Sequence, residues 1–295
     1  MHKFPLTILI GPTASGKSAL ALDVAKRQPT VIINADAMQM VDALPILTAR
    51  PSPQDLAEAE HQLYGVWAPD SSGSVALWVH CASNAVRRAW REQKHPLLVG
   101  GTGMYIKALM EGLSLIPPVP EEIRAQVRKL YARDGVAVIY QALCGEDPLM
   151  AARLKAGDSQ RIMRALEVVR ATGQSLSVWQ QEKGAPPLPE AQIQLYAMRP
   201  ERASLYARID TRFDAMMTSG ALAEVREFIA CYPEAESPVA KACGVPELTS
   251  YLHGKCSLDE AVCLAKQHSR NYAKRQMTWI TNQCKDARDA SELLL

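Results

Sequence analysis

The chain has 295 residues, 48% of them hydrophobic, with 33 Lys and Arg against 31 Asp and Glu for a formal net charge of +2. This length buries a sizeable core, as one large α/β domain or a domain with an insertion, and excludes a small stapled scaffold; so small a net charge leaves any nucleic-acid role to local patches. The seven cysteines, at positions 81, 144, 231, 243, 256, 263 and 284, are odd in number, scattered and without a C-x-x-C pair. They indicate neither a disulfide framework nor a zinc site, and a reducing cytoplasm is expected. The histidines also lack metal-ligand spacing. Met1-His2-Lys3-Phe4-Pro5 runs straight into a strand-like segment, so a soluble, non-exported protein with no membrane partner is expected.

In chain order, Leu6–Ile10 predicts a buried strand. Directly after it stands Gly11-Pro12-Thr13-Ala14-Ser15-Gly16-Lys17-Ser18, a G-x-x-x-x-G-K-[ST] phosphate loop between a strand and a helix. Its glycines allow a tight turn with successive N–H groups presented, Lys17 adds a point charge, and Ser18 offers a hydroxyl to Mg²⁺ on the phosphates. The ligand is therefore expected to carry a di- or triphosphate. Ser18–Arg27 predicts a helix whose face carries Ala19, Leu22 and Ala25 or Lys26. Val31–Asn34 predicts a second strand, Val75–Gln93 a helix with Val79, Ala82, Val86 and Ala89 or Trp90 on one face, and Pro96–Val99 a third strand ending in Gly100-Gly101-Thr102-Gly103.

This alternation predicts an α/β fold, a P-loop NTPase-like doubly wound parallel sheet core. Proline-rich breaks at 116–120 and 184–189 delimit a helical insertion domain over 116–190, with the core formed by 1–115 and 191–295. The chain re-enters the sheet at Ile193–Ala197 and is then helical from Glu201 to Ile280, punctuated at Gly220, Tyr232-Pro233 and Gly244–Pro246. No internal repeat is visible.

In a doubly wound sheet ligands bind beyond the carboxyl ends of the strands, so Gly11–Ser18, Asn34–Gln39 and Gly100–Gly103 are expected to converge. Asp36 is then either a general base or the cap of a helix starting near Ala37. No Asp closes an apolar run in the way a nucleotide hydrolase needs to hold its metal. Thr102 supplies a hydroxyl beside the phosphate site. In Asp158–Arg170, Asp158 predicts an N-cap, Ile162, Leu166 and Val169 a buried stripe, and Arg161 with Arg164 an anion-recognising face. Arg226 reads as a second phosphate clamp or as a partner of Glu224 or Glu227. The basic run Lys266, Arg270, Lys274, Arg275, Lys285 and Arg288, interleaved with Tyr272 and Trp279, reads as a solvated face or a phosphate-backbone surface.

The phosphate loop, Ala35-Asp36 with Gln39, Thr48–Pro51, Leu97–Leu109, Gln160-Arg161 with Arg164–Val168, and Ala273–Gln276 with Thr278-Trp279 together resemble the bacterial tRNA dimethylallyltransferases, the isopentenyl-tRNA transferase family. The matches run in order over nearly the whole chain. The resemblance implies transfer of a dimethylallyl group from dimethylallyl diphosphate to N6 of adenosine-37 in tRNAs reading codons that start with U, with Mg²⁺ as cofactor and diphosphate released. It implies Asp36, Thr102 and Arg226 as catalytic residues, the loop Gly11–Ser18 as the diphosphate site with Ser18 toward Mg²⁺, and a tRNA anticodon stem-loop as partner. The segments implied against tRNA are Asp36, Ala37, Met38 and Gln39, Thr102, Arg124, Gln160, Arg161, Ile162, Met163 and Arg164, and Cys243, Gly244 and Val245. A monomer is expected.

The chain departs from this pattern at several points. The family usually has Ser where Asn34 and Ala37 stand, Tyr at Val41, Gly at Leu47, a Gly-Tyr-basic step at Gly244-Val245-Pro246, and an Arg near Ile280-Thr281. Transfer to free AMP or ATP is the nearest alternative, and the helical insertion speaks against it because a small nucleotide needs no such arm. A phosphate-loop kinase and a nucleotide-dependent RNA-binding module are the readings of other classes.

Overall fold

The computed structural model describes residues 3–71, 73–233 and 238–294. The chain divides into two compact units, Met1–Met110 with Pro187–Leu295, and Glu111–Pro186.

The first unit begins β1 Phe4–Ile10, α1 Lys17–Arg27, β2 Thr30–Asn34, a 3-10 turn Met38–Met40, α2 Pro45–Thr48, α3 Pro53–Glu58, β3 Glu60–Gln62, α4 Val75–Arg91, β4 His95–Gly100 and α5 Gly103–Glu111. The strands pair in the order β3-β2-β4-β1-β5-β6, with β5 Ala191–Ala197 and β6 Arg288–Asp289 completing the sheet. Every pairing is parallel, with Ile8 opposite Leu98 on one side and Leu195 on the other. A parallel sheet is covered on both faces, which is why β1, β2 and β4 read as near-continuous apolar runs. Leu6, Ile8 and Ile10 enter one core with Trp78, Ala82, Val86 and Ala89 of α4, while Leu9 enters another with Ala21 and Val24 of α1. The predicted strands and the face of α4 are thus as expected.

Two strands escaped the sequence pattern. β3 is Glu-His-Gln and β6 is Arg-Asp, short and polar because they lie at the sheet edges, where charge discourages pairing with another chain. The face of α1 is also rotated from the expected one: Ala21 and Val24 are buried and Ala19 is exposed. So many small and apolar residues occur in this helix that spacing leaves its register open; the preceding loop sets it.

After β5 come α10 Arg202–Thr218, α11 Ala221–Cys231, α12 Val245–Leu252 and α13 Leu258–Gln283. They enclose a separate core of Phe213, Val225, Phe228, Leu248 and Ala265 into which Val41, Leu44 and Leu47 insert from the segment after β2. The departures at 41, 47 and 245 are all buried there, so they read as mutually fitting apolar packing.

In the second unit α6 Glu121–Glu146 is broken at Gly135, whose φ of 78° and ψ of −177° are not helical, and it packs with α8 Ser159–Thr172. The short helices α7 Pro148–Ala151 and α9 Leu176–Trp179 complete it. Its core gathers Val127, Ile139, Leu143, Ile162 and Leu166. Buried Asp147 accepts from Met150 N at 3.0 Å and Leu176 N at 3.2 Å, capping two helices with one carboxylate. Ser114 bridges antiparallel to Lys183, which draws residues before the 116–120 proline segment into this unit.

Candidate active site

Strands β1, β4 and β2 are neighbours, so the segments following them meet at one edge of the sheet. After β1 the loop turns at Gly16, which stands in the left-handed region with φ of 98°. Lys17 Nζ donates to the Pro12 carbonyl at 2.7 Å. Burial brings its pKa down to about 8, with the Asp36 carboxylate opposing and the Arg212 guanidinium assisting that shift. After β4 the chain turns so closely past its neighbours that a Cβ on Gly100 would lie 2.1 Å from the Ala35 carbonyl oxygen.

The segment after β2 is held at each successive amide. Ala35 N donates to Val99 O at 2.9 Å, Asp36 N to Asn34 Oδ1 at 2.8 Å, Ala37 N to Thr102 Oγ1 at 3.0 Å, and Met38 N to Asp36 Oδ1 at 3.0 Å. Asp36 therefore makes the local turn contact expected of a capping residue, yet its carboxyl also faces open space. It lines a cavity of about 300 Å³ with the phosphate loop, Gln39, Arg50, Tyr64 and Arg212, and a smaller one of about 90 Å³ with Met38, Ile209, Phe213, Cys243 and Tyr272. Arg212 lines both as well. Burial raises the Asp36 pKa above the usual carboxylate range, while the Met38 amide, Lys17 and Arg212 pull it back.

Several residues here were given no site role by the sequence. Arg212 is one of many charged residues on α10, and only the packing of that helix on the crevice brings its guanidinium to Asp36; burial lowers its pKa and Asp36 counters this. Gln276 of α13 is buried and bridges two turns: its Oε1 accepts from Thr13 N at 2.8 Å and its Nε2 donates to Gly101 O at 3.1 Å. Tyr272 lines the smaller cavity, its phenol pushed up by burial and by Asp36, with the Thr102 hydroxyl acting in the opposite sense. Family motifs at 273–276 pointed to this helix without assigning either side chain.

Of the residues expected to act, the loop and Asp36 come together as anticipated, and Thr102 stands against the Ala37 amide although it lines neither cavity. Arg226 does not join them: it is exposed on α11 and outside both linings, whereas the guanidinium-bearing residue in both linings beside Asp36 is Arg212. Both donated hydrogen bonds of Gln39 are spent on Thr48 O and Ala49 O at 2.9 and 2.8 Å, fixing the turn beside the larger cavity. Ala37 contributes its backbone amide. Cys243 lines the smaller cavity with its thiol pKa raised by burial, and Gly244 N donates to Glu247 Oε2 at 2.8 Å. Val245 is buried against the α10–α13 core, so its side chain packs and presents nothing to a ligand.

In the second unit Gln160 and Arg161 are exposed, Arg161 pairing with Asp158 at 3.2 Å, while Arg164 lies 3.6 Å from Glu167. Arg124 is half-buried, 3.9 Å from Glu121. Ile162 is not a surface group, being fully buried in that unit's core, while Met163 is half-buried and packs against that core, because Arg161 and the apolar residues of this helix fall on different faces. Val168 rather than the expected Val169 completes the buried stripe, Val169 being half-buried on the adjacent face. In the basic run, Lys266 pairs with Asp214, Arg270 with Asp210 and Arg288 with Glu292, whereas Lys274 and Arg275 flank a groove with Trp279.

Among the described residues no three His, Cys, Asp or Glu side chains come together as a metal cage, and no helix is long and apolar enough to cross a membrane.

Comparison with known proteins agrees with this arrangement. The chain matches the IPP transferase family over residues 39–283 and the isopentenyl transferase family over residues 4–66. It is 49% identical to a tRNA dimethylallyltransferase of Paramagnetospirillum magneticum over 98% of this chain and 92% of that one. It is 47% identical to one of Azorhizobium caulinodans over 96% and 91%. The crystal structure of a tRNA isopentenylpyrophosphate transferase from Bacillus halodurans superposes with a TM-score of 0.67 at 30% identity, covering 95% of this chain and 87% of that one. A eukaryotic dimethylallyltransferase acting on tRNA shares the fold, with a TM-score of 0.77 at 24% identity over 94% of this chain and 69% of that one. The phosphate loop, the Asp36 turn and matches spanning almost the full length of these relatives lead to one conclusion: the chain belongs to the IPP transferase family, among the tRNA dimethylallyltransferases.

Proposed function

We propose that the protein transfers the dimethylallyl group of dimethylallyl diphosphate to N6 of adenosine-37 in tRNAs that read codons starting with U. The observation that carries this reading is the position of Asp36, which lines both a phosphate-loop cavity and a smaller, more apolar one. A donor diphosphate in the first and an acceptor base entering by the second would meet beside its carboxylate.

The allylic C1–O bond breaks with its electron pair retained on the diphosphate oxygen, a C1–N6 bond forms, and N6 gives its proton to Asp36. The loop amides and Lys17 stabilise the charge that grows on the leaving diphosphate, and Arg212 adds a second cation at the same junction. Asp36 holds the departing proton, a role worth ~10²–10⁴-fold when the carboxylate is well placed. Burial raises its pKa, which makes it a stronger base than an exposed carboxylate. Thr102 and Tyr272 support the turn that carries it.

Ser18, in the lining of the phosphate-loop cavity, would be the protein hydroxyl for a Mg²⁺ ion held chiefly by phosphate oxygens. Bound there, Mg²⁺ would supply Lewis-acid charge to the diphosphate. Extracting the base from the anticodon loop costs a few kcal/mol, which pocket contacts must offset. Gln160, Arg161, Arg164 and Arg124 of the helical unit and Met38 and Cys243 of the core are assigned to the tRNA. Both cavities are built within one chain, so a monomer suffices; the cytoplasm is the compartment where uncharged and charged tRNA is met.

The test offers radiolabelled dimethylallyl diphosphate and Mg²⁺ with either an anticodon stem-loop or AMP. Label on the stem-loop alone supports the reading; label on AMP moves the activity to free nucleotides, and label on neither overturns prenyl transfer.

A further inference from the structure

The surroundings of Asn34 give its side-chain amide a use. This residue closes β2 and is fully buried, with each polar end of its side chain partnered. Oδ1 accepts from Asp36 N at 2.8 Å, and Nδ2 donates to Asp36 O and to Leu63 O, both at 2.9 Å. One amide therefore grips residue 36 from its N–H and its C=O together, fixing both peptide planes that flank the Asp36 Cα.

The anchor is itself held. The Asn34 carbonyl accepts from Trp78 Nε1 at 2.9 Å, and the Trp78 ring, fully buried, stacks on Tyr105 with centroids 4.4 Å apart. Leu63, the other residue gripped, has a φ of 66°, a left-handed conformation that a leucine adopts only when its surroundings impose it. A serine hydroxyl at position 34 has one oxygen and one hydrogen and cannot reproduce one accepted and two donated bonds at once. Packing alone would be met by an apolar residue; a buried amide with every group satisfied specifies one geometry.

We propose that Asn34 is a positioning residue for the transfer reaction, acting through Asp36 by fixing the backbone that aims its carboxyl. This rests on Asp36 being the base. The Asp36 turn faces a crevice on one side, so without the grip from β2 its carboxyl would sample orientations away from the acceptor nitrogen, and small misplacements of a reacting group are costly.

The test is a kinetic cycle on the full chain with Asn34→Ala, Asn34→Ser, Asp36→Asn and the Asn34→Ala/Asp36→Asn double variant, using dimethylallyl diphosphate and the anticodon stem-loop. Folding is checked by circular dichroism at the assay temperature. Asn34→Ala should lower kcat by about 10- to 10²-fold with KM for dimethylallyl diphosphate within about twofold, and Asn34→Ser should fall between it and the wild type. In the Asp36→Asn background the Asn34→Ala loss should vanish, which a merely structural role would not produce. Losses that multiply in the double variant, or an Asn34→Ser enzyme with unchanged kcat, overturn the proposal. If Asp36→Asn alone keeps the wild-type kcat, the base assignment fails first and the positioning role falls with it. Should Asn34→Ala not fold, the same cycle built on Asn34→Ser decides, since it keeps an oxygen for the Asp36 amide.

Discussion

Replacing Gln276 by Leu removes the bridge between the phosphate loop and the glycine turn while nearly preserving volume. The side chain is 6% exposed, accepts from Thr13 N at 2.8 Å and donates to Gly101 O at 3.1 Å. Leucine leaves one N–H and one C=O without these partners, each worth about 1–3 kcal/mol when water cannot reach it. Thr13 is only half-buried, so solvent recovers part of its share, and the net loss is about 2–4 kcal/mol. For a chain of this size each kcal/mol moves the midpoint by about 2–4 °C, so thermal unfolding should shift down by about 4–16 °C. Function should suffer separately, because Thr13 lines the diphosphate cavity: a loosened loop raises KM for dimethylallyl diphosphate about 5- to 30-fold, equivalent to about 1–2 kcal/mol. Gln276→Glu sharpens the test. It keeps an acceptor for Thr13 but sets a carboxylate against the Gly101 carbonyl and near the incoming diphosphate, so its KM should rise beyond that of the leucine variant. Steady-state kinetics with label transfer and differential scanning calorimetry read the two effects. A Leu variant unchanged in both midpoint and KM would refute the bridge, and so would a Glu variant that binds the donor better than the Leu one.

The pH profile should show the raised Asp36 pKa directly: the base works deprotonated, so kcat/KM falls as pH drops through a value above the ordinary carboxylate range. Arg212→Gln deletes a cation that lowers this pKa, so its acid limb should move to higher pH; a limb that stays or moves down contradicts the placement. Lys17, with a pKa of about 8, is about half protonated at that pH, and a bound diphosphate raises its pKa, so binding should take up about half a proton, read by calorimetry in buffers of different ionisation enthalpy. Proton release would argue against Lys17 as the phosphate partner. Gly100→Ala should be severely disruptive, since its Cβ meets backbone at 2.1 Å, whereas Gly145→Ala in α6 meets nothing within 4 Å and should stabilise by about 0.5–1 kcal/mol in denaturant unfolding.

Much of the site was legible because its parts are local in sequence. A phosphate loop is one octapeptide in a strand-to-helix context, and Asp36 and Gly100–Gly103 follow apolar runs whose parallel pairing brings their ends together. What stayed hidden depends on helix rotation and on contacts distant in sequence. Arg212 resembles its neighbours Arg208 and Asp210 until α10 is docked, and the plausible Arg226 turns outward. Gln276 acts on residues 263 and 175 positions away, a relation no local pattern carries. Ile162 and Val245 sit inside motif segments but point into cores, because a motif marks a stretch of chain while burial is decided side chain by side chain. Edge strands β3 and β6 were missed for the opposite reason: being polar is what their position demands.

The most direct test of the central claim is a single-turnover comparison of the wild type and Asp36→Asn on the anticodon stem-loop, with binding of diphosphate measured for both. Wild-type transfer to the adenosine, slowed by about 10²–10⁴-fold in the variant while diphosphate binding persists, is the expected result. Transfer by Asp36→Asn at the wild-type rate would contradict the account.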